Sequence, residues 1–292
     1  MKLSFDATRF GCGLDGAVEL AAHQAIASAE YSFAPFVVKT GKGAKSQDDK
    51  EAAYFASVAE NARKLGVEFS ILNLDYALDP LDKRAVKQFS PMLQKLAVVA
   101  RNLSCPRLGF SLLPAADEDF LAAFLTQYAE LKALEELSTL ELVMRLAAPP
   151  SMRGQSLRKW RPLEPGEWRE LLAGCEGLSF SYSPADCLWQ GIDYLQNIGH
   201  FAQAISHVVA HDMEINRTIL GDSGMYGPLW WRYRVAGKGQ VDFRQVIELL
   251  KLYDFQGSLS MQFEDEFLSD DPLQLSESLE EGVKYFAPLM KG

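Results

Sequence analysis

The sequence predicts a (β/α)8 barrel, the TIM-barrel architecture, formed as a single domain over residues 1–292. Short apolar segments alternate with longer amphipathic ones, which is the pattern of repeated strand–helix units around a parallel sheet. Hydrophobic residues make up 48% of the 292 residues, enough for a large core. Barrels of this kind routinely reach about 250 residues or more as one domain, so the length does not require two domains.

Eight segments are predicted as strands, and helical patterns fill the gaps between them. The strands are residues 2–6, 30–36, 67–74, 107–112, 140–146, 177–182, 204–210 and 257–263. The helices are residues 17–27, 48–65, 82–103, 117–137, 242–253 and 272–288, the fifth with Asp242 as its N-cap. Eight strands alternating with helices favour a closed barrel over an open sheet.

A dinucleotide-binding fold is disfavoured, although Gly11, Gly13 and Gly16 have the spacing of a GxGxxG turn. Residues 7–10 separate these glycines from the first strand, whereas such a turn follows its strand directly. No acidic residue closes a second strand at the expected distance either.

The charge and the apolar pattern exclude several classes of partner. The net charge is −10, and the densest basic stretch, residues 153–161, is better explained as a solvated loop, so we expect no nucleic-acid binding. No apolar run approaches about 18 residues, so we expect no membrane contact. Cys12, Cys105, Cys175 and Cys187 form no CxxC motif, and with no apolar leader segment this predicts a cytoplasmic protein with reduced thiols.

The longest non-periodic segment, residues 216–239, is predicted to be a loop at the carboxyl end of the barrel. Long loops after barrel strands lie where barrel enzymes bind their substrates. One interpretation is that this loop covers a substrate and that Arg232 or Arg234 binds its anionic group. The other is that Trp230 and Trp231 pack the loop onto the barrel, and both can hold together.

Three stretches, residues 188–193, 231–243 and 257–265, resemble the sugar phosphate isomerase/epimerase family of xylose isomerase-like barrels. The resemblance covers most of the chain and is sharpest from residue 177 to residue 266. It implies one divalent metal ion held by two glutamates, an aspartate and a histidine from the last four strands. In such a site the metal stabilises an anionic enediolate while the glutamates move a proton.

The resemblance places other residue types at the four ligand positions, namely Arg145 or Leu146, Ser183, Val209 and Gln262. Valine has no donor atom, and a neutral serine or glutamine is a weak ligand for a divalent cation. We therefore expect no metal cofactor. Arg145, if it points inward, would replace the cation electrostatically and attract an anionic ligand.

A rebuilt site is an alternative, because Asp186, His207, His211 and Asp212 lie near the carboxyl ends of the last strands. His211 and Asp212 would act as an acid–base pair, or Asp186 and His211 would bind a displaced Mn or Zn ion. Otherwise, His207 and His211 are buried strand residues whose ring nitrogens bond to the backbone. Glu30 and Asp75 are pocket-lining candidates by position alone.

The resulting hypothesis is an isomerase/epimerase-like barrel that binds a small carbohydrate-type ligand without the metal. If it is an enzyme, we expect an isomerase, epimerase or lyase; the alternative is a non-catalytic pseudoenzyme that binds a ligand or serves as a partner subunit. The resemblance also suggests a homo-oligomer. The predicted catalytic residues are His211, Asp186 and Asp212, and the predicted substrate-binding residues are Gln262, Trp189, Arg232, Arg234, Arg145 and Glu264.

Overall fold

A computed structural model describes residues 1–35, 44–146, 164–225, 227 and 229–291, without the side chains of residues 44–49. Within these residues, eight parallel strands form a nearly closed barrel, in which neighbouring strands follow one another around the sheet. The barrel strands are β1 (Lys2–Phe5), β2 (Ser28–Phe33), β3 (Glu68–Leu78), β4 (Arg107–Leu112), β5 (Glu141–Arg145), β6 (Leu178–Tyr182), β7 (Ile205–Ile215) and β9 (Ser258–Met261). The remaining strand, β8 (Trp231–Val235), pairs antiparallel with β7.

The barrel closes between β1 and β2 through a single bridge, in which Asp6 pairs with Glu30. The backbone N–H of Ala7 donates to the Glu30 carbonyl at 3.0 Å, and the N–H of Asp6 donates to the Met261 carbonyl at 2.9 Å. The residue that follows β1 is therefore tied to the strands on both sides. This seam fixes the backbone at two acidic residues.

Helices cover the outside of the barrel. They are α1 (Gly13–His23), α2 (Ala44–Leu65), α3 (Lys83–Asn102), α4 (Phe120–Lys132), α5 (Pro165–Gly174), α6 (Pro184–Trp189), α7 (Tyr194–Phe201), α8 (Arg217–Ser223), α9 (Phe243–Leu252) and α10 (Pro272–Lys291). Helix α9 shows why they form: the Asp242 side chain accepts from the Gln245 N–H at its start, and Val246, Ile247 and Leu250 are buried on one face. None of the helices in the described part of the chain has the length and apolar character needed to cross a bilayer.

The core lies mainly between the sheet and the helices, whereas the interior of the barrel is partly polar. Ser4 on β1 and Ser70 on β3 are both buried, and their hydroxyl oxygens are 3.1 Å apart. These strands are not neighbours in the sheet, so the two side chains meet across the inside of the barrel. A polar interior of this kind can hold charged groups that an apolar barrel could not.

All eight predicted strands are confirmed, with small shifts at their ends, and the Asp242 N-cap is confirmed as well. The prediction of a long non-periodic loop at residues 216–239 is wrong. Here β7 continues beyond the barrel to Ile215 and forms a hairpin with β8, and α8 lies between the two strands. The missed signal is the alternation of apolar and charged residues in Trp231–Val235, which has the period of a strand. The basic stretch at residues 153–161 lies outside the described residues.

Candidate functional site

A cavity of about 340 Å³ opens at the carboxyl ends of the barrel strands, and we call it the mouth cavity. This is the end of the fold at which barrel enzymes bind their substrates. Polar, charged and apolar side chains all contribute to its wall. The polar wall residues that matter most below are Asp6, Glu30, Asn73, Arg145, Gln262 and Glu264.

Glu30, on β2, is a buried carboxylate with partners on both oxygens. Asn73 Nδ2 donates to Oε1 at 2.5 Å, and Gln262 Nε2 donates to Oε2 at 3.0 Å. Nε2 of the buried His207 lies 3.3 Å from Oε2, and Nδ1 of this ring lies 2.8 Å from the Ser181 hydroxyl. The ring nitrogens of His207 therefore face side chains, which corrects the expectation that they bond to the backbone.

Glu30 and Asp6 have opposite pKa shifts. Burial raises the pKa of Glu30, but the electrostatic interaction with His207 and the polar contacts of His207 and Ser260 outweigh it and lower the pKa to about 2. For Asp6, burial and the negative charge of Glu30 raise the pKa to about 7, against hydrogen bonds from Thr8. Near neutral pH the cavity thus holds one firmly ionised carboxylate and one carboxyl group close to its titration point.

Arg145, the last residue of β5, points inward and lines the mouth cavity. Its Nη2 is 3.7 Å from Oδ2 of Asp186, and its buried Nε has no hydrogen-bond partner in the described structure. Burial lowers the pKa of Arg145, but the charges of Asp186 and Glu264 raise it, so the guanidinium stays positive. The cavity therefore contains a fixed cation with an unused donor.

Asp186 and His211 are fully buried, and neither lines the mouth cavity. The Tyr233 hydroxyl donates to Oδ1 of Asp186, and the Tyr233 ring stacks on the His211 ring with centroids 4.0 Å apart. His211 Nε2 lies 2.9 Å from the Glu264 carbonyl oxygen, as expected for a buried strand histidine. Burial lowers the pKa of His211 despite the neighbouring carboxylates. Asp186, His211 and Tyr233 form a layer behind the cavity wall. Asp186 is linked to the wall by its approach to Arg145, which lines the cavity.

Asp212 points away from His211, because successive residues of a strand face opposite sides. Its carboxylate accepts four backbone N–H groups, those of Met213 at 2.8 Å, Gly237 at 3.0 Å, and Gly239 and Val241 at 2.9 Å each. These bonds hold the turn after β8 against β7. The structure therefore does not form the expected His211–Asp212 acid–base pair, and it gives Asp212 a structural role.

The hairpin arginines also have partners of their own. Arg232 binds Glu214 with two nitrogens, at 2.8 and 3.3 Å, and Arg234 binds Asp265 at 2.9 Å and Glu214 at 2.5 Å. Both guanidinium groups lie over the ring of Phe267. Neither arginine lines the mouth cavity, so the structure does not place them as anion donors to a ligand there.

Trp189 is likewise absent from the wall of the mouth cavity. Its ring stacks on that of Trp231, with centroids 4.7 Å apart and an interplanar angle of 15°. Trp230 and Trp231 are both buried. This favours the interpretation in which the tryptophans pack the hairpin onto the barrel.

The four positions that would hold the metal ion do not fit a divalent cation. Arg145, Val209 and Gln262 line the mouth cavity, and the Gln262 amide nitrogen is directed at Glu30. Ser183 instead caps α6, where its hydroxyl accepts from the Asp186 N–H at 3.2 Å. A guanidinium, a valine and a donating amide offer no anionic ligand set. Among the described residues, no cluster of three or more histidines, cysteines or carboxylates could bind a metal.

The sequence predicted some residues of the cavity wall and missed others. It named Arg145, Gln262 and Glu264, which do line the cavity, and it had Glu30 by position alone. It did not single out Asp6, Asn73 or Ser181. The signal available for Asp6 was its position as the last residue of the first predicted strand.

Solved structures of xylose isomerase-like barrels share this fold. A xylose isomerase domain protein from Planctomyces limnophilus is 12% identical, with a TM-score of 0.70, and the match covers 99% of this chain and 97% of that one. The IolI protein, solved with a bound zinc atom, is 13% identical, with a TM-score of 0.72 and coverage of 99% and 98%. A sugar phosphate isomerase/epimerase from Parabacteroides distasonis is 12% identical, with a TM-score of 0.65 and coverage of 99% and 95%.

At the level of sequence the chain matches no known family and no curated protein. The structural matches, all at low identity, show the fold and leave the chemistry of the site to the residues of this chain.

Proposed function

We propose that the chain binds a small carbohydrate-type ligand in the mouth cavity without a divalent metal, and that Arg145 supplies the positive charge. One observation carries the proposal. The guanidinium of Arg145 lies in the cavity wall at a position where the resembling family has a metal ligand, and its Nε has no hydrogen-bond partner in the described residues. A fixed cation with a free donor suits a carbonyl, carboxylate or phosphate oxygen.

The rest of the wall is compatible with a polyhydroxylated ligand. Ser32, Ser111 and Ser181 contribute hydroxyl groups, and Phe110 and Val209 contribute apolar surface. Hydroxyl groups can both donate and accept, which matches the hydroxyls of a sugar, while apolar surface matches its C–H groups. The cavity volume of about 340 Å³ is that of a small-molecule site.

As an enzyme, the protein would be an isomerase, epimerase or lyase of the kind whose reaction begins at a C–H bond next to a carbonyl. Removing that proton produces an oxyanion, and Arg145 is the cation of the cavity wall that could stabilise it. Structures similar to this chain include a sugar phosphate isomerase/epimerase, which supports this class.

The test is a thermal-shift screen of the purified protein against sugars, sugar acids and sugar phosphates, each with EDTA and with MnCl2. We expect at least one compound to stabilise the protein equally under both conditions. Arg145→Met should weaken the binding of that compound about tenfold or more, because the oxygen of the compound that contacts Arg145 loses a charged partner. Stabilisation that requires Mn²⁺ and disappears with EDTA would contradict the proposal.

Arg107→Met is the matched control for the arginine variant. Arg107 begins β4, at the opposite end of the barrel, and pairs with Glu141 at 2.9 Å. Its replacement should leave ligand affinity within about twofold of wild type, since it is remote from the cavity. Equal losses of affinity in both variants would show that Arg145 acts through general destabilisation.

The second candidate is a non-catalytic barrel that binds a ligand or serves as a partner subunit. The observation in its favour is that Asp186, His211 and Asp212 all make contacts inside the protein and lie outside the cavity wall. Incubation of each stabilising compound with the protein in D2O, followed by NMR, separates the two functions. Deuterium incorporation at carbon or conversion of the compound favours the enzyme, whereas binding with neither favours the pseudoenzyme.

A further inference from the structure

We propose that Asp6 is the proton-transfer group of the mouth cavity, and that Glu30, its partner across the closing seam of the barrel, keeps a proton on it near neutral pH. The transfer of a proton from a carbohydrate-type ligand to Asp6 rests on the function proposed above. The protonation of Asp6 near neutral pH does not depend on that function, so experiments can refute either claim without the other.

The backbone brings the two carboxyl groups together. Asp6 and Glu30 are partners in the parallel bridge between β1 and β2, and both side chains line the mouth cavity. The backbone at Asp6 is held from both neighbouring strands, because its N–H donates to Met261 of β9 and the N–H of Ala7 donates to Glu30 of β2. The Thr8 N–H donates to its Oδ1 at 2.9 Å. This geometry presents a positioned carboxyl group to the cavity.

The contacts of Glu30 decide which of the two groups carries the proton. Its oxygens accept from Asn73 and Gln262 and face the ring of His207, and each of these contacts favours the ionised form. Asp6 has the hydrogen bonds from Thr8 but no cation among its partners in the described structure. Two adjacent carboxyl groups repel each other when both are ionised, so the proton resides on Asp6.

Glu264, Arg9 and Arg145 are further charged residues of the cavity wall. Glu264 raises the pKa of Asp6 further, after burial and the charge of Glu30, and the resulting value of about 7 agrees with a shared proton at neutral pH. Arg145 and Arg9 are the cations of the cavity wall. Arg9 donates hydrogen bonds to Asp270 and to the Leu268 carbonyl, both at 2.8 Å. Arg145 is only within 3.7 Å of Asp186 and has an unpaired Nε among the described residues, so it is the cation with capacity for a ligand.

The chemistry that follows is a proton transfer at carbon. The carboxylate form of Asp6 takes the proton from a C–H group beside the ligand carbonyl. The electron pair of the C–H bond forms a C=C bond, and the π pair of the C=O bond moves to the oxygen. The resulting oxyanion faces Arg145. Asp6 in its acid form then returns the proton to a carbon or to the oxygen, so no oxidant, reductant or metal is needed. A pKa near the working pH suits a group that both takes and returns a proton.

The first experiment measures the proton on Asp6 directly. The protein is treated with a water-soluble carbodiimide and glycine methyl ester across a pH range, and labelled carboxyl groups are identified by peptide mass spectrometry. A carbodiimide activates protonated carboxyl groups, so we expect Asp6 labelling to be half-maximal near about pH 7. Asp75, an exposed carboxyl in the same cavity wall, is the internal reference for the labelling chemistry.

Two variants sharpen the result. Glu30→Gln removes the repelling charge and should lower Asp6 labelling at about pH 7 by about tenfold, whereas Asp75→Asn should leave it unchanged. The pH profile of the wild type needs no variant, so it stands even if Glu30→Gln fails to fold. Asp6 that remains unlabelled near pH 7, or that follows the profile of Asp75, would overturn the proposal.

The second experiment tests the transfer step. Each compound that stabilises the protein is incubated in D2O with wild type and with Asp6→Asn, whose amide oxygen can still accept from the Thr8 N–H. We expect exchange at carbon to fall about 100-fold in the variant, with the thermal shift retained. If Asp6→Asn exchanges deuterium as fast as the wild type, or if compounds bind to the wild type but never exchange, Asp6 is not the proton-transfer group. A screen in which no compound binds refutes the proposed function while the labelling result stands.

Discussion

The hairpin turn and the mouth cavity bury charge in opposite ways. In the turn after β8, the Asp212 carboxylate accepts four backbone N–H groups at 2.8 to 3.0 Å. In the cavity wall, Arg145 lies 3.7 Å from Asp186, and the Arg145 Nε and Asp186 Oδ2 have no hydrogen-bond partner in the described residues. Complete hydrogen bonding stabilises a fixed structure, whereas incomplete bonding leaves capacity for a ligand. The difference separates a carboxylate that closes a turn from the cavity in which we propose that a ligand binds.

The largest effect is expected for Asp212→Asn. An amide offers one acceptor oxygen and adds N–H donors that face backbone N–H groups, so several buried donors lose their partner. We expect a loss of about 3 kcal/mol in the free energy of unfolding, measured by urea denaturation. The control is Asp193→Asn, an exposed N-cap of α7, at which asparagine is an equally good cap and the change should be near zero. A variant as stable as wild type would mean that Asp212 does not close the hairpin.

A smaller, pH-dependent effect is expected for Asp6→Asn. The pKa of Asp6 rises from 3.8 to about 7 on folding, so between these values the folded protein holds a proton that the unfolded chain has released. Wild-type stability should therefore fall as the pH rises from about 4 to about 7, by about 2 kcal/mol after allowance for partial exposure. Asp6→Asn should lack that fall. Identical pH profiles of the two proteins in urea denaturation would contradict the shift.

At acidic pH, Glu30 of the same cavity should affect stability in the opposite direction to Asp6. The pKa of Glu30 is about 2 in the folded protein, against 4.5 for a glutamate without these contacts, as in the unfolded chain. The ionised Glu30 therefore stabilises the fold fully above about pH 4.5, and this stabilisation is lost as the pH falls toward 2. Glu30→Gln should flatten this part of the profile. A loss between about pH 4.5 and 2 that is unchanged in the variant would assign it to other carboxylates.

Tyr233→Phe tests the layer behind the cavity wall. The change removes the hydroxyl that donates to buried Asp186, and we expect a loss of about 1.5 kcal/mol in unfolding free energy. Asp186 should then draw Arg145 closer and weaken binding of an anionic ligand, as read by thermal shift. Tyr253→Phe, at a residue that is 39% exposed, is the control and should change stability little. Equal effects would show that the Tyr233 hydroxyl contributes nothing specific.

The smallest effect is expected for Arg232→Gln. Arg232 and its partner Glu214 are 30% and 32% exposed, and such an ion pair contributes about 0.5 kcal/mol. Ligand affinity should remain that of wild type, because Arg232 does not line the mouth cavity. A tenfold loss of affinity would restore the earlier interpretation of Arg232 as a ligand-binding residue and would break the contrast between hairpin and cavity.

Local sequence patterns were sufficient for the barrel. Apolar segments of strand length and helices of period 3.6 each bury one face, and eight such units have few arrangements other than a closed barrel. The resemblance to xylose isomerase-like barrels, not the local pattern, pointed to Arg145, Val209 and Gln262, and all three line the mouth cavity. The hairpin was missed because its strand pairs outside the barrel and is bounded by glycines that resemble a loop.

Which polar groups meet was decided only by tertiary structure. Asp6 and Glu30 are 24 residues apart, and Glu30 and Gln262 are 232 residues apart, yet both pairs meet at one seam. Side-chain direction also changed the roles predicted for His211 and Asp212. Neighbouring residues of a strand face opposite sides, so Asp212 faces the hairpin turn while His211 faces Tyr233. Residue types and their spacing therefore predicted the fold and the end of the barrel at which the mouth cavity opens. Distances across the closed sheet, which no local pattern encodes, determined the charge and protonation of its groups.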